Sequence, residues 1–273
     1  MQKLGAPIDT RPLFRAERQR LLNLLTRLGS AQWGSPTICP GWSVADVANH
    51  LIGDDVGRLA RSRDGSDAPV PQEDVPFPMS LHRLNEEWVV ATRRFSHAVI
   101  LDLLEWTGEQ IAAYWGEQDL LRTGEQVSWA GPGPAPVWLD AARDFGEYWL
   151  HRQQILDAVS ERDDTPDDVR HAVYSTLIRA VPHALHDCTR EDGSCIAITL
   201  TGAGGGTWSA VSSAGTWAIA DGMPGSPQAR VVLSGDVAWR IWTRGVEPSD
   251  APLEIVGDEE LGNAVREMVS IIR

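Results

Sequence analysis

The sequence predicts a two-domain α plus α/β chain. A four- or five-helix bundle is expected over residues 1–190 and a small α+β domain over residues 193–273. Three observations carry this. Apolar residues recur at helical spacing up to about residue 188. Proline- and glycine-rich breaks separate those stretches, as between the helices of a bundle. After "REDGS" (190–194) the pattern changes to the two-residue alternation of strands.

The first helix is expected over 13–28, where Leu21, Leu22, Leu24, Leu25 and Leu28 share a face. "GSPTICPGW" (34–42), with two prolines and two glycines, ends it. Ser43 then reads as an N-cap with Asp46 in the capping position three residues on. The helix it opens is expected to reach about Arg61, with Val44, Val47, Ala48, Leu51, Ile52 and Leu59 facing inward. A polar, proline-rich loop covers 62–79, and helical patterning resumes from Leu81 to about Trp115 in two pieces. "AGPGPAP" (130–136) is the next breaker. A helix from Val137 to about Ser160 follows, and Pro166 starts another that runs to about Cys188.

In the last third, "CIAITL" alternates as a half-buried strand does, and "TWSAV" and "TWAIA" flank a "SSAG" hairpin. "ARVVL" and "PLEIV" are further strands. "VAWRIWTR" is a short helix opened by Ser234 and Asp236, and Asp258 caps a last helix through Ile272. The glycine-rich "TGAGGGTW" (201–208) lies between strands rather than before a helix, so it reads as a turn and not a phosphate cradle.

Composition narrows the function. With 42% hydrophobic and 23% charged residues the chain is globular rather than disordered. No apolar run approaches the ~20 residues of a membrane span, and no signal-peptide core stands at the N-terminus. Three cysteines without an export signal point to free thiols and a cytoplasmic protein. A net charge of −14 argues against nucleic acid and anionic membrane as partners, and it requires a local cationic contact for any anionic substrate. Arg240 and Arg244, four apart on "VAWRIWTR", and Arg143 are candidates for that contact.

The residues "EYWLHRQQI" (147–155) set Glu147 and His151 one helical turn apart, side by side. By periodicity alone they lie off the apolar stripe of Trp138, Ala141, Phe145, Tyr148, Leu156 and Val159, and an exposed polar pair is the plainer reading. His50 is likewise opposite Val44, Ala48 and Leu59, beside Asp46 and Asp54. A ligand set requires these polar faces to meet. His183 and His186, three apart, lack a matching carboxylate and read as ordinary surface or core histidines. Cys39, Cys188 and Cys195 read as packing residues, and Trp42 as a residue able to line a pocket.

"TICPGWSVADVANHLIGDDVGRLA" (37–60) with "RDFGEYWLHRQQILDAVS" (143–160) resembles the mycothiol-dependent maleylpyruvate isomerase family, within the wider DinB-like metalloenzyme superfamily. The resemblance implies a DinB-like bundle and three metal ligands, His50, Glu147 and His151, in a two-imidazole, one-carboxylate set suited to zinc. It implies mycothiol as the thiol cosubstrate. A metal-held thiolate would attack a small electrophile, giving cis–trans isomerisation of a maleylpyruvate-like acid or, if the thiol stays attached, S-transfer. Of the 24 basic residues only Lys3 is lysine, a bias that fits the high-GC bacteria that make mycothiol. "ARVVLSGD" and "PLEIVGDEEL" resemble the family's second domain, which is similar to sterol-carrier-type folds. Where many relatives carry an aspartate three residues after the ligand histidine, this chain has Gln154. The alternative function is a non-catalytic module that binds a metal or small ligand.

Overall fold

The computed structural model describes residues 4–66, 77–220, 222–223 and 225–271. They divide into two compact units. One comprises Thr10–Gln118 and Glu147–Asp164; the other comprises the described residues up to Asp9, Asp119–Gly146 and those from Thr165 on.

The first unit is helical. Its elements are α1 (Phe14–Arg27), a single turn α2 (Ser30–Trp33), α3 (Val44–Arg58), α4 (Phe77–Thr92), α5 (His97–Gly116) and the part of α6 (Val137–Val159) from Glu147 onward. α1 and α3 pack on α5, and α3 also packs on α4. The expected capping box opens α3: Ser43 N donates to Asp46 Oδ2 at 3.0 Å, and Asp46 N donates to Ser43 Oγ at 3.3 Å. α3 ends at Arg58 and passes into a π-helical turn, Leu59–Arg63, where a continuous helix to Arg61 was the expectation. The inward residues of α3 are buried as its pattern requires. Residues 67–76 of the expected 62–79 loop lie outside the described residues, and α4 begins within that loop's expected span, at Phe77.

What the apolar pattern misses is a buried polar network. Arg18 on α1 donates to Asp55 Oδ2 on α3 at 2.7 Å, and Thr107 on α5 donates to the same oxygen at 2.5 Å. Tyr148 on α6 gives its hydroxyl to the other oxygen of Asp55. Burial pushes the Asp55 carboxyl above its ordinary range, and Arg18, Thr107 and Tyr148 pull against that. Gly108 makes room for the cation. A Cβ there would stand 2.6 Å from Arg18 Cγ, so no larger residue fits without displacing α1 from α5. One turn away, Arg152 of α6 holds Glu17 of α1 at 2.6 Å and reaches Asp163 and Asp164 at 3.3 Å each.

The second unit is built on a five-stranded sheet of order β5-β4-β3-β6-β7, where β3 is Cys195–Thr201, β4 Gly206–Ser213, β5 Thr216–Ala220, β6 Ala229–Ser234 and β7 Glu254–Gly257. β3 pairs parallel with β6 and antiparallel with β4; the outer pairs are antiparallel. A two-stranded ribbon, β1 (Thr123–Gln126) with β2 (Pro134–Pro136), stands where the sequence signals only a breaker. Both expected hairpin turns, at 201–206 and at "SSAG", are present. β3 is the central strand and is buried at Cys195, Ile196, Ala197, Ile198 and Leu200, so both faces are covered rather than one. The helices are α7 (Asp167–Leu177), α8 (Val181–Ala184), α9 (Gly235–Trp242) and α10 (Glu259–Arg266). α8 packs on β5, α9 on β3 and β6, and α10 on β6 and β7.

Three helix ends differ from expectation. The helix expected to run from Pro166 to Cys188 breaks into α7, a 3-10 turn (Ile178–Ala180) and α8, because Pro182 has no N–H to give the carbonyl of residue 178. "VAWRIWTR" stops at Trp242, and Arg244 takes a left-handed φ of 59° beyond it. Asp258 caps α10 as expected, but the helix stops at Arg266. Ser270 instead gives its N–H to Trp242 O at 2.8 Å and its hydroxyl to Leu177 O at 2.5 Å, bonds that continued helix would forbid. Ile272 lies outside the described residues.

Removing the cation from the buried network is the sharpest test of this packing. Arg18→Met should destabilise the protein by about 3–5 kcal/mol in urea denaturation, because Asp55 would remain buried without its charge partner. Arg15→Met breaks only the exposed 3.0 Å pair with Glu109, whose side chains are 60% and 59% accessible, and should change stability by less than about 1 kcal/mol. Equal losses for the two variants would remove Arg18 from that role.

Candidate functional site

The "TICPGW" turn is closed by its own backbone. Thr37 N donates to Trp42 O at 3.0 Å, Trp42 N to Cys39 O at 3.0 Å, and the Thr37 hydroxyl bonds Trp42 O at 2.9 Å. Gly41 takes a φ of +79°, which the tight return requires and which a side chain would resist. Just beyond the end of α4, Arg93 braces the turn through Asp46 at 3.0 Å and Gly41 O at 3.4 Å. The turn thereby presents two side chains inward, Cys39 and Trp42, both buried. The Trp42 indole N–H is anchored to Glu86 Oε2 at 2.6 Å. Its ring lies 5.1 Å from that of His50.

His50 of α3 and His151 of α6 meet edge to face, with ring centroids 4.7 Å apart. Each has a carboxylate one turn away on its own helix. His50 Nε2 is 3.3 Å from Asp54 Oδ2, and His151 Nε2 is 3.6 Å from Glu147 Oε2. The far side of His151 is held as well: Nδ1 is 2.8 Å from Gln154 Oε1, and Cys39 Sγ donates to that same oxygen at 3.3 Å. The imidazoles are buried, whereas the Asp54 and Glu147 side chains keep 38% and 25% of their surface, so the carboxylates mark the side open to solvent.

The polar faces that the helical wheel left outside are therefore inside. Residues 151–154 of α6 are all buried, although none belongs to its apolar stripe. His50 and His151 come together within one unit, and Glu147 stands beside His151. Sequence reasoning under-read three neighbours. Asp54 stands at the ligand-like i,i+4 spacing from His50. Gln154 was noted only as a departure from relatives, and Cys39 only as packing.

Burial lowers the pKa of both histidines to about 4; for His151 the adjacent His50 adds to the effect, against Asp54 and the Gln154 hydrogen bond. Both rings are thus neutral at pH 7, the form that binds a metal. Among the described residues, no three or more His, Cys, Asp and Glu side chains are gathered around one point as a metal cage. The donor chemistry nonetheless fits a cation. If Nδ1 of His151 gives its proton to Gln154, Nε2 carries only a lone pair and faces a carboxylate oxygen, and two acceptors at that separation call for positive charge between them.

The arginine candidates belong to the other unit. Arg143 pairs with Asp140 at 2.7 Å and Asp144 at 3.5 Å. Arg240 pairs with Asp236 at 3.2 Å and lies over the Trp239 ring. Arg244 pairs with Glu267 at 3.5 Å and bonds that residue's carbonyl at 2.6 Å. Because α9 ends at Trp242, Arg240 and Arg244 do not share a helix face, contrary to the i,i+4 expectation. The His183 and His186 rings stack 5.1 Å apart, and His186 Nδ1 is engaged with the His183 carbonyl.

The neutral histidines give the metal-free protein a signed pH dependence. Their folded pKa of about 4 lies below the ordinary 6.5, so the unfolded chain takes up protons first as pH falls. Their contribution to stability is complete above pH 6.5 and is lost between about 6.5 and 4. Wild type should therefore lose stability more steeply across that window than a His50→Gln/His151→Gln double variant, with urea midpoints taken at each pH. Parallel curves would show that burial does not hold the two rings neutral.

The mycothiol maleylpyruvate isomerase N-terminal domain model matches residues 14–156. No curated protein sequence matches the chain significantly. Among solved structures, a mycothiol-dependent maleylpyruvate isomerase superposes with a TM-score of 0.57 at 14% identity, covering 93% of this chain and 95% of that one. A histidine-to-alanine mutant of such an isomerase gives 0.54 at 12%, with the same coverage. At these identities the likeness is one of fold. The family model spans more than half of the sequence and includes both histidine-bearing helices, and the chain belongs to the mycothiol maleylpyruvate isomerase family.

Proposed function

We propose that this chain is a mycothiol-dependent metalloenzyme of the cytoplasm that isomerises a maleylpyruvate-like acid. His50, Glu147 and His151 would hold a divalent metal, zinc by ligand type. The observation that carries the reading is the meeting of two buried, neutral imidazoles, each with a carboxylate at its Nε2 side. A metal bound there would favour the thiolate form of mycothiol at neutral pH.

The protein's own groups supply the rest. Trp42, with its ring 5.1 Å from that of His50, would present an apolar wall to the sulfur. Asp54 stands beside His50 as a further carboxylate able to hold a proton or a ligand. Addition of the thiol sulfur to a cis double bond leaves a single bond free to rotate, and elimination returns the thiol and the trans product. Retention of the thiol would make the same site an S-transferase. Arg143, Arg240 and Arg244 are proposed as contacts for the substrate carboxylate, each giving up its present carboxylate partner to the substrate. In this reading the bundle of 1–190 and the sterol-carrier-like domain of 193–273 are the folding domains.

Purified protein should contain about one divalent transition metal per chain, and His151→Ala should remove most of it while far-UV circular dichroism hardly changes. Mycothiol should support turnover of maleylpyruvate and glutathione should do so poorly. Equal metal in both proteins, or no preference between thiols, would overturn the reading.

Arg244→Ala tests the anion contact. It should raise KM for an anionic substrate about 10-fold, the scale of a lost charged hydrogen bond, and leave metal content unchanged. Unaltered kinetics would leave Arg244 as the partner of Glu267 alone.

A further inference from the structure

His151 can carry its ring proton on either nitrogen, and only one choice leaves Nε2 bare toward Glu147. The deciding contacts lie on the other side of the ring. Gln154 Oε1 is 2.8 Å from Nδ1 and also lies 3.3 Å from Cys39 Sγ. An amide presents either an oxygen that accepts or an NH2 that donates, and rotation by 180° exchanges them. The thiol breaks this symmetry. A neutral S–H is a weak donor and its sulfur a weak acceptor, and here the S–H is directed at the amide oxygen, which this contact keeps on its side. Once the oxygen faces Cys39 it also faces His151, and Nδ1 must then be the protonated nitrogen. All three side chains are buried, which limits competition from water.

The backbone fixes the parts. Gln154 follows His151 by three residues on α6, which sets its side chain beside the ring. Cys39 is held by the closed 37–42 turn, and its N–H bonds the Thr37 hydroxyl at 3.2 Å. The thiol therefore approaches the amide from a separate, rigid segment.

We propose that Gln154, oriented by the Cys39 thiol, is the positioning residue that fixes His151 as its Nδ1–H tautomer and leaves Nε2 free for a ligand. This rests on the reading of His151 as a metal ligand, but the tautomer itself can be read without any metal. A neutral amide in this place has a second consequence. A carboxylate hydrogen-bonded to a ligand imidazole raises its basicity, so an amide leaves His151 a weaker donor and a bound metal more strongly electron-withdrawing.

The test uses the full-length, metal-free protein and 15N–1H spectra of its imidazoles, followed by zinc titration against a competing chelator. Wild-type His151 should appear as the Nδ1–H form. Gln154→Leu removes the acceptor, so the Nε2–H form should appear and zinc affinity should fall by about 10–100-fold, the range for lost outer partners of metal ligands. Gln154→Glu keeps an acceptor and should retain the Nδ1–H form while binding zinc at least as tightly as wild type. Cys39→Ala should admit some Nε2–H form, whereas Cys39→Ser, still a hydroxyl donor, should not. A wild-type Nε2–H tautomer, or a Gln154→Leu spectrum identical to wild type, would overturn the proposal. If wild type showed the Nδ1–H form but bound no zinc, the metal reading would fail and the positioning role of Gln154 would stand.

Discussion

The helical unit depends on one carboxylate. Asp55 accepts from Arg18, Thr107 and Tyr148, which come from three different helices, and it is fully buried. Apolar packing alone would leave α3 free to slide or turn against α6 at small cost, since hydrophobic contact is not directional. A buried carboxylate with three fixed donors has no equivalent second position, because any shift leaves a polar group without a partner. Tyr148 precedes His151 by three residues, and Asp55 follows His50 by five. The bond that pins Tyr148 to Asp55 thus lies less than two turns from the place where the two imidazoles meet, and it sets the register in which they do so.

This explains which parts were legible in the sequence. Caps were readable because they are local: Ser43, Ser234 and Asp258 each bond within three residues of themselves. The hairpins and the strand "ARVVL" were readable for the same reason, from turn residues and alternation. The resemblance supplied the ligand triad. The helical wheel, used alone, pointed to exposed polar faces for His50 and His151, and it failed because polar side chains can be buried when partners meet them there, as Gln154 meets His151 and as the ion pairs meet across helices. Arg152, Glu17, Arg18 and Asp55 are all buried, and no hydropathy pattern marks their partners in advance. The ends of α7, α9 and α10 were misjudged where long-range contacts or a proline override periodicity; Ser270 bonding to Leu177 is not visible in any local window.

The "CPGW" stretch is better understood as a device than as a break. Its proline and glycine make a rigid turn that faces the N-terminus of α3, and its two remaining side chains do different things. Trp42 is tied to Glu86 and stands beside His50 as an apolar wall. Cys39 touches Gln154 and through it the second histidine. One short segment therefore contacts both imidazoles, the first directly and the second through an amide. A substitution that merely kept the turn, such as alanine for Cys39, would preserve the fold of the segment and lose the hydrogen bond.

Burial of the two imidazoles works in two directions. In the absence of a cation it is unfavourable, because desolvation keeps both rings from taking up a second proton although each has a carboxylate beside its Nε2. The same desolvation removes the competition that protons would offer to a cation, since neither ring takes up a proton until pH falls to about 4. The energy needed to keep such a site open comes from elsewhere in the unit, from the Arg18–Asp55 and Arg152–Glu17 pairs and the apolar faces around them. A functional arrangement that is locally unfavourable persists only where the surroundings leave the chain no better alternative. The position of these ion pairs, with Arg152 next to His151 on α6 and Asp55 just over one turn from His50 on α3, is what that requirement predicts.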